Sequence, residues 1–318
     1  MAETHRYKFT KDQVNSVSLI QNTNKVLIQI AERNIEKKTN SGIIMISPTD
    51  ADYNPAVHSD RYGIVYAVPP SLRFDKSPQG MSWHTEMELE VGDEVWFDFM
   101  NSENCVVLDC DDGDDYKMID YENVYVARSG GELLPINGYC LFSDHHIKTT
   151  SKFDPRDGQV DPRYGYVEHL AAFNKEYQTP SFKDNIVLDV GDKVMFGSRA
   201  HHYYIEEERY KSLDKMYRPV QRRNVAAIMD GDHVAELSEG MVMVKPKKEK
   251  TLPSGIIVPV FRTDIPHFKA EVVMSNHQDI DEGDWVLCPK RSPLRHIQEG
   301  EEYYLLNEED VWFIWNED

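Results

Sequence analysis

Three near-identical tripeptides punctuate this chain: Val91-Gly92-Asp93, Val190-Gly191-Asp192 and Glu282-Gly283-Asp284. Each opens a run of strand-forming residues: Glu94-Val95-Trp96-Phe97, Lys193-Val194-Met195-Phe196 and Trp285-Val286-Leu287. Self-similarity at a regular interval constrains a fold more than any local signal does. It predicts three copies of one small β module along the 318 residues.

Other elements recur in the same order. The first copy has a strand over 25–31, then Ser41-Gly42-Ile43-Ile44-Met45 after a charged stretch, then Arg61-Tyr62-Gly63-Ile64-Val65. It closes with strands over 116–119 and 124–126. The second copy has a strand over 139–142, Arg163-Tyr164-Gly165-Tyr166-Val167 and a closing strand over 225–228, but no Ser-Gly-Ile-Ile motif in 148–162. The third begins at 241–244 and regains that motif as Ser254-Gly255-Ile256-Ile257-Val258-Pro259. Lys269-Ala270-Glu271-Val272-Val273 then replaces the Arg-Tyr-Gly run, with alanine for glycine, and strands over 303–306 and 310–314 close it. Short β-branched runs separated by glycine turns predict an all-β sandwich or barrel. The boundaries that follow are an N-terminal extension over 1–21 and modules over 22–129, 130–231 and 232–318. The linkers are too short for the modules to swing freely.

Composition narrows the function classes. A formal charge of −20 opposes phosphate-backbone recognition, so nucleic acid is not an expected partner. No apolar run is long enough for a membrane helix, and residues 1–11 lack the apolar core of a secretory signal. The four cysteines do not make a disulfide framework for a chain of this length, and a reducing, cytoplasmic setting is expected.

Motifs for chemistry are weak. His145-His146 and His201-His202 are adjacent pairs, and strand neighbours point to opposite faces, so neither predicts a chelate. Cys105 and Cys110 have no second Cys/His pair nearby. The run Asp109-Cys110-Asp111-Asp112-Gly113-Asp114-Asp115 lacks the spacing and closing glutamate of a calcium loop and predicts a solvated acidic hairpin. Without dinucleotide, P-loop or nucleophile-elbow motifs, the reading is a non-enzyme with no metal and no cofactor.

The order of these motifs resembles the GroES co-chaperonin family. The third copy carries most of the likeness, through 254–259, Glu271-Val272, Gly283-Asp284, 302–306 and 309–311; the first follows, and the second matches only in part. The resemblance implies three tandem small GroES-like β-barrels, the second degenerate. Of the family's two excursions, the first module has candidates for both a mobile loop (33–45) and a roof hairpin (69–88), the second only a roof-like insertion (172–184), and the third the apolar anchor with almost no roof. It implies rings formed by pairing the first strand of one subunit with the last of its neighbour, hence a homo-oligomer. It implies a cytoplasmic co-chaperonin that caps or docks on a GroEL-type chaperonin ring and assists protein folding. The chaperonin-binding residues would be Gly42, Ile43, Ile44 and Met45, with Gly255, Ile256, Ile257 and Val258. The residues themselves leave two readings of these anchors open: exposed apolar tips worth roughly 1.5–3 kcal/mol per docked side chain, or ordinary buried strands. The alternative function is a structural assembly protein, such as a phage capsid or tail component, with the barrels as scaffold and other virion proteins as partners.

Overall fold

The computed structural model describes residues 6–19, 23–30, 37–38, 44–45, 61–73, 86–98, 105–111, 113–149, 153–171, 186–197, 217–246, 267–289, 294–307 and 310–315. The first repeat begins with β1 (Arg6–Phe9) and a five-residue helix α1 (Lys11–Asn15). So short a helix holds because Thr10 and Gln13 form a reciprocal capping box. There follow β2 (Lys25–Ile30), β3 (Lys37–Lys38), β4 (Ile44–Met45), β5 (Tyr62–Ala67), β6 (Glu94–Phe97), β7 (Val106–Cys110), β8 (Asp115–Asp120), β9 (Val124–Ser129) and β10 (Glu132–Pro135). The second repeat holds β11 (Tyr139–His146), β12 (Val160–Leu170), β13 (Lys193–Phe196), β14 (Arg218–Gln221), β15 (Val225–Asp230) and β16 (His233–Leu237). The third holds β17 (Met241–Pro246), β18 (His267–Ser275), β19 (Trp285–Pro289), β20 (Leu294–Gln298), β21 (Glu301–Asn307) and β22 (Phe313–Trp315).

The hydrogen-bonded orders show one topology used three times. The first sheet runs β1-β7-β8-β2-β5-β6-β9-β10, the second β14-β11-β12-β13-β15-β16, the third β20-β21-β17-β18-β19-β22. The shared core of the pattern is β8-β2-β5-β6-β9, repeated as β14-β11-β12-β13-β15 and β21-β17-β18-β19-β22. A separate two-stranded ladder joins β3 to β4.

The Gly-Asp tripeptides make the same turn each time. The glycines have φ of 100°, 98° and 93°, a region where a side chain is strained. Gly92 N–H donates to Val65 O, Gly191 N–H to Val167 O and Gly283 N–H to Val272 O, at 2.8, 2.8 and 2.9 Å. Each aspartate carboxylate accepts from the backbone N–H three residues earlier: Asp93 from Glu90, Asp192 from Asp189 and Asp284 from Asp281, at 2.9, 2.8 and 2.9 Å. Glycine supplies the backbone conformation and aspartate satisfies a donor the turn would otherwise leave unpaired.

The central strands read as continuous apolar runs because both of their faces are covered. Val26, Ile28 and Ile30 of β2 join a core with Val95, Phe97, Ile119 and Val124, while Leu27 packs on the opposite face with Val14, Leu108 and Tyr116. In β17, Val242 and Val244 face one core, and Met241 and Met243 the other.

The expectation of closed barrels is wrong. Among the described residues the three sheets are open: β1 and β10, β14 and β16, and β20 and β22 end their respective orders. Closure needs the two outermost strands to meet in a staggered ladder. In the first sheet those places are taken by added strands, with β1 lying parallel to β7 and β10 folding back on β9. Turn glycines and strand spacing specify neighbours along a sheet; they carry no information on whether its last strand reaches its first.

Contacts along the chain separate two compact units. One comprises Met1–Leu141, His169–Lys183 and Tyr203–Pro219; the other comprises Phe142–Glu168, Asp184–His202 and Val220–Asp318. In the first, Asn137 is fully buried between β10 and β11, with φ 55°. Its Nδ2 donates to Tyr121 O and Val124 O, and its backbone N–H to Glu88 Oε2. In the second, one apolar cluster is shared by Tyr164, Met195, Ala227 and Met229 of the second sheet with Met241, Met243 and Leu305 of the third.

Candidate functional site: an exposed sheet edge in the third repeat

The topological position occupied by β9 and β15 is sheltered in the first two repeats. Val124, Tyr125, Val126 and Ala127 of β9 are buried, as are Val225, Ala226, Ala227 and Met229 of β15. Each strand carries a further antiparallel neighbour, β10 on β9 and β16 on β15. The third repeat differs. Its equivalent, β22, pairs with β19 through Trp285↔Trp315, Val286↔Ile314 and Leu287↔Phe313, and ends the sheet among the described residues.

The side chains at this edge are large and apolar, yet Trp312 is 52% exposed, Phe313 64% and Ile314 44%. The strand is nonetheless held firmly on its inner side. Trp312 N–H donates to Leu287 O at 3.0 Å, Trp285 and Trp315 stack, and Lys269 Nζ lies over the Trp315 ring at 5.4 Å. An ordered, apolar strand with a free ladder edge is a template for another strand. Cys288, the nearest thiol on β19, has its pKa pushed up to about 12 by burial and then by Asp310, so it stays a protonated packing group.

The residues expected to be anchors are only partly visible. Ile44 and Met45 form β4, whose backbone pairs with Lys38 and Lys37 of β3. Gly42, Ile43, Gly255, Ile256, Ile257 and Val258 lie outside the described residues. The pair His201-His202 does as well. His145 and His146 engage separate partners, the Tyr166 hydroxyl and Gly158 O. Among the described residues no group of three or more His, Cys, Asp or Glu could hold a metal ion, and no helix is long and apolar enough to cross a membrane.

The acidic hairpin is less solvated than its sequence suggests. It is the β7–β8 turn, and it receives the N-terminal arm. Lys11 Nζ donates to Asp114 Oδ2 and the Tyr116 hydroxyl, Lys11 N–H donates to Asp111 Oδ1, and Arg6 pairs with Asp115. Sequence reasoning missed both this docking and the exposed edge. The available signal for the edge was Trp312-Phe313-Ile314-Trp315 itself: a strand without polar alternation must be apolar on both faces.

No protein-family model matches the chain, and no curated protein matches it. The expectation of a co-chaperonin that docks closed barrels on a chaperonin ring is therefore set aside. Its scaffold is not formed, since the sheets are open, and no family match supports the docking role.

Proposed function

We propose that the chain is a self-associating, non-catalytic β scaffold whose copies join where a strand of a second copy adds to β22. The exposure of Phe313 and Ile314 on a strand whose two counterparts are covered, and of Trp312 just before it, carries this reading. Covering each such side chain is worth roughly 1.5–3 kcal/mol, and ladder hydrogen bonds add direction. The net charge of −20 opposes association through most of the surface, which leaves apolar edges as the favoured contacts.

Light scattering coupled to size-exclusion chromatography tests this. The chain is expected to run as a concentration-dependent oligomer, and Phe313→Lys to weaken association by about tenfold for each 1.4 kcal/mol lost. A monomer at every concentration, or an oligomer indifferent to Phe313→Lys and Ile314→Lys alike, overturns the reading.

A further inference from the structure

Within the second compact unit, a polar cluster lies beside the apolar core that the second and third sheets share. The Tyr164 hydroxyl on β12 and His296 Nδ1 on β20 are hydrogen-bonded at 2.9 Å, and the residues are only 8% and 2% exposed. Arg163, held by Asp161 through two hydrogen bonds, donates from Nη1 to Arg295 O at 3.0 Å. Arg163 and Lys193 both approach the Tyr164 ring, at 5.3 and 5.2 Å from its centre. Lys193 Nζ in turn donates to Gly231 O and to Asp232. His145 on β11 packs edge-on against Tyr164.

We propose that the Tyr164–His296 pair is a proton-sensitive latch between the second and third sheets, closed when His296 is neutral and released when it is protonated.

The surroundings set the direction. A proton on His296 would place a charge in a buried site that already feels two cations, Arg163 from β12 and Lys193 from β13. The carboxylates that could offset it are poorly placed. Asp161 is committed to Arg163, and Asp232, on the β15–β16 turn, has a side chain 86% exposed to water. Across the hairpin, Tyr303 of β21 faces His296 and carries no charge; Arg295, its neighbour on β20, adds a third cation but is paired with Glu302. Burial first, then Arg163 and Lys193, hold the His296 pKa below the usual histidine value, against the backbone and carboxylate of Asp232. His145 is shifted the same way by burial and then Lys193, with Asp161 and Asp232 opposing and His146 assisting. Where Nδ1 of the neutral ring accepts from Tyr164, protonation also turns it into a donor, and the Tyr164 hydroxyl must then turn its own hydrogen to another acceptor.

A histidine with a lowered folded pKa stabilises the fold fully above its unfolded pKa of about 6.5, and that contribution fades as pH falls from there to the folded value. Hydrogen–deuterium exchange on the full chain, at about pH 7.5 and about pH 5 and corrected for intrinsic rates, reads this directly. Protection of β20 and β21 amides is expected to drop by about tenfold per pH unit across that window. His296→Gln, which keeps a neutral polar group, is expected to remove most of the drop; His145→Gln is expected to keep most of it. In the unaltered chain, the His296 ring signal followed by NMR is expected to titrate below pH 6.5, together with the loss of protection. A ring that titrates at or above that value, protection constant across its titration, or an equal drop in His296→Gln overturns the latch.

Discussion

At the scale of single residues, two kinds of glycine do different work. Gly92, Gly191 and Gly283 are needed for their backbone angle, and a Cβ on any of them would meet nothing within 4 Å. Gly63 and Gly165 sit in ordinary strand conformations and are needed for space. A Cβ on Gly63 would lie 2.5 Å from Gln29 O, and one on Gly165 2.8 Å from the Phe196 ring. The third repeat has Ala270 at this position, fully buried and paired with Val286 and Pro246. Gly63→Ala is therefore expected to cost about 1–3 kcal/mol by overpacking. Ala270→Gly is expected to cost only about 0.5–1 kcal/mol, through backbone entropy. Urea denaturation of both variants checks this; equal costs would show that the two sites are packed alike.

At the scale of elements, the N-terminal arm is a packed part of the first sheet. β1 lies in parallel register on β7, Asp111 N–H donates to Phe9 O, and Val14 of α1 is completely buried. Four cysteines, all free and buried, contribute to packing across the sheets. Lys11 is the arm's polar fastening, and burial raises the Tyr116 pKa, so its hydroxyl stays protonated while it accepts from Lys11. Lys11→Met is expected to lower stability by about 1 kcal/mol and to raise exchange in β1 and α1 above all. Unchanged protection in the arm would mean that the β1–β7 ladder and the burial of Val14 hold it without the Lys11 side chain. The central strands were legible in the sequence, because β-branched runs after a Gly-Asp turn have few alternatives. β7 and β20 were not. Val106–Cys110 merges into an acidic run that reads as a turn, and Leu294–Gln298 carries arginine, histidine and glutamine. Their pairing with β8 and β21 decides them, through the Val107↔Lys117 and Arg295↔Tyr304 registers.

At the scale of the whole molecule, three sheets are distributed over two compact units. The second unit holds one apolar cluster built from two sheets, so those sheets are expected to unfold together. Differential scanning calorimetry is expected to show a measured enthalpy larger than the van't Hoff value, the mark of more than one cooperative unit. A single two-state transition would show that the two units unfold as one.

The threefold repetition, the all-β character and the Gly-Asp turns were determined by the sequence alone, because each depends on residues close together in the chain: a backbone angle, a carboxylate three residues from its donor, a β-branched run. Whether the sheets close, where the arm docks and which strand is left uncovered were decided only by the tertiary structure. These depend on which distant strand reaches an edge first. β9 and β15 are each covered by the strand that follows a tight turn, whereas β22 ends its sheet with Phe313 and Ile314 facing solvent.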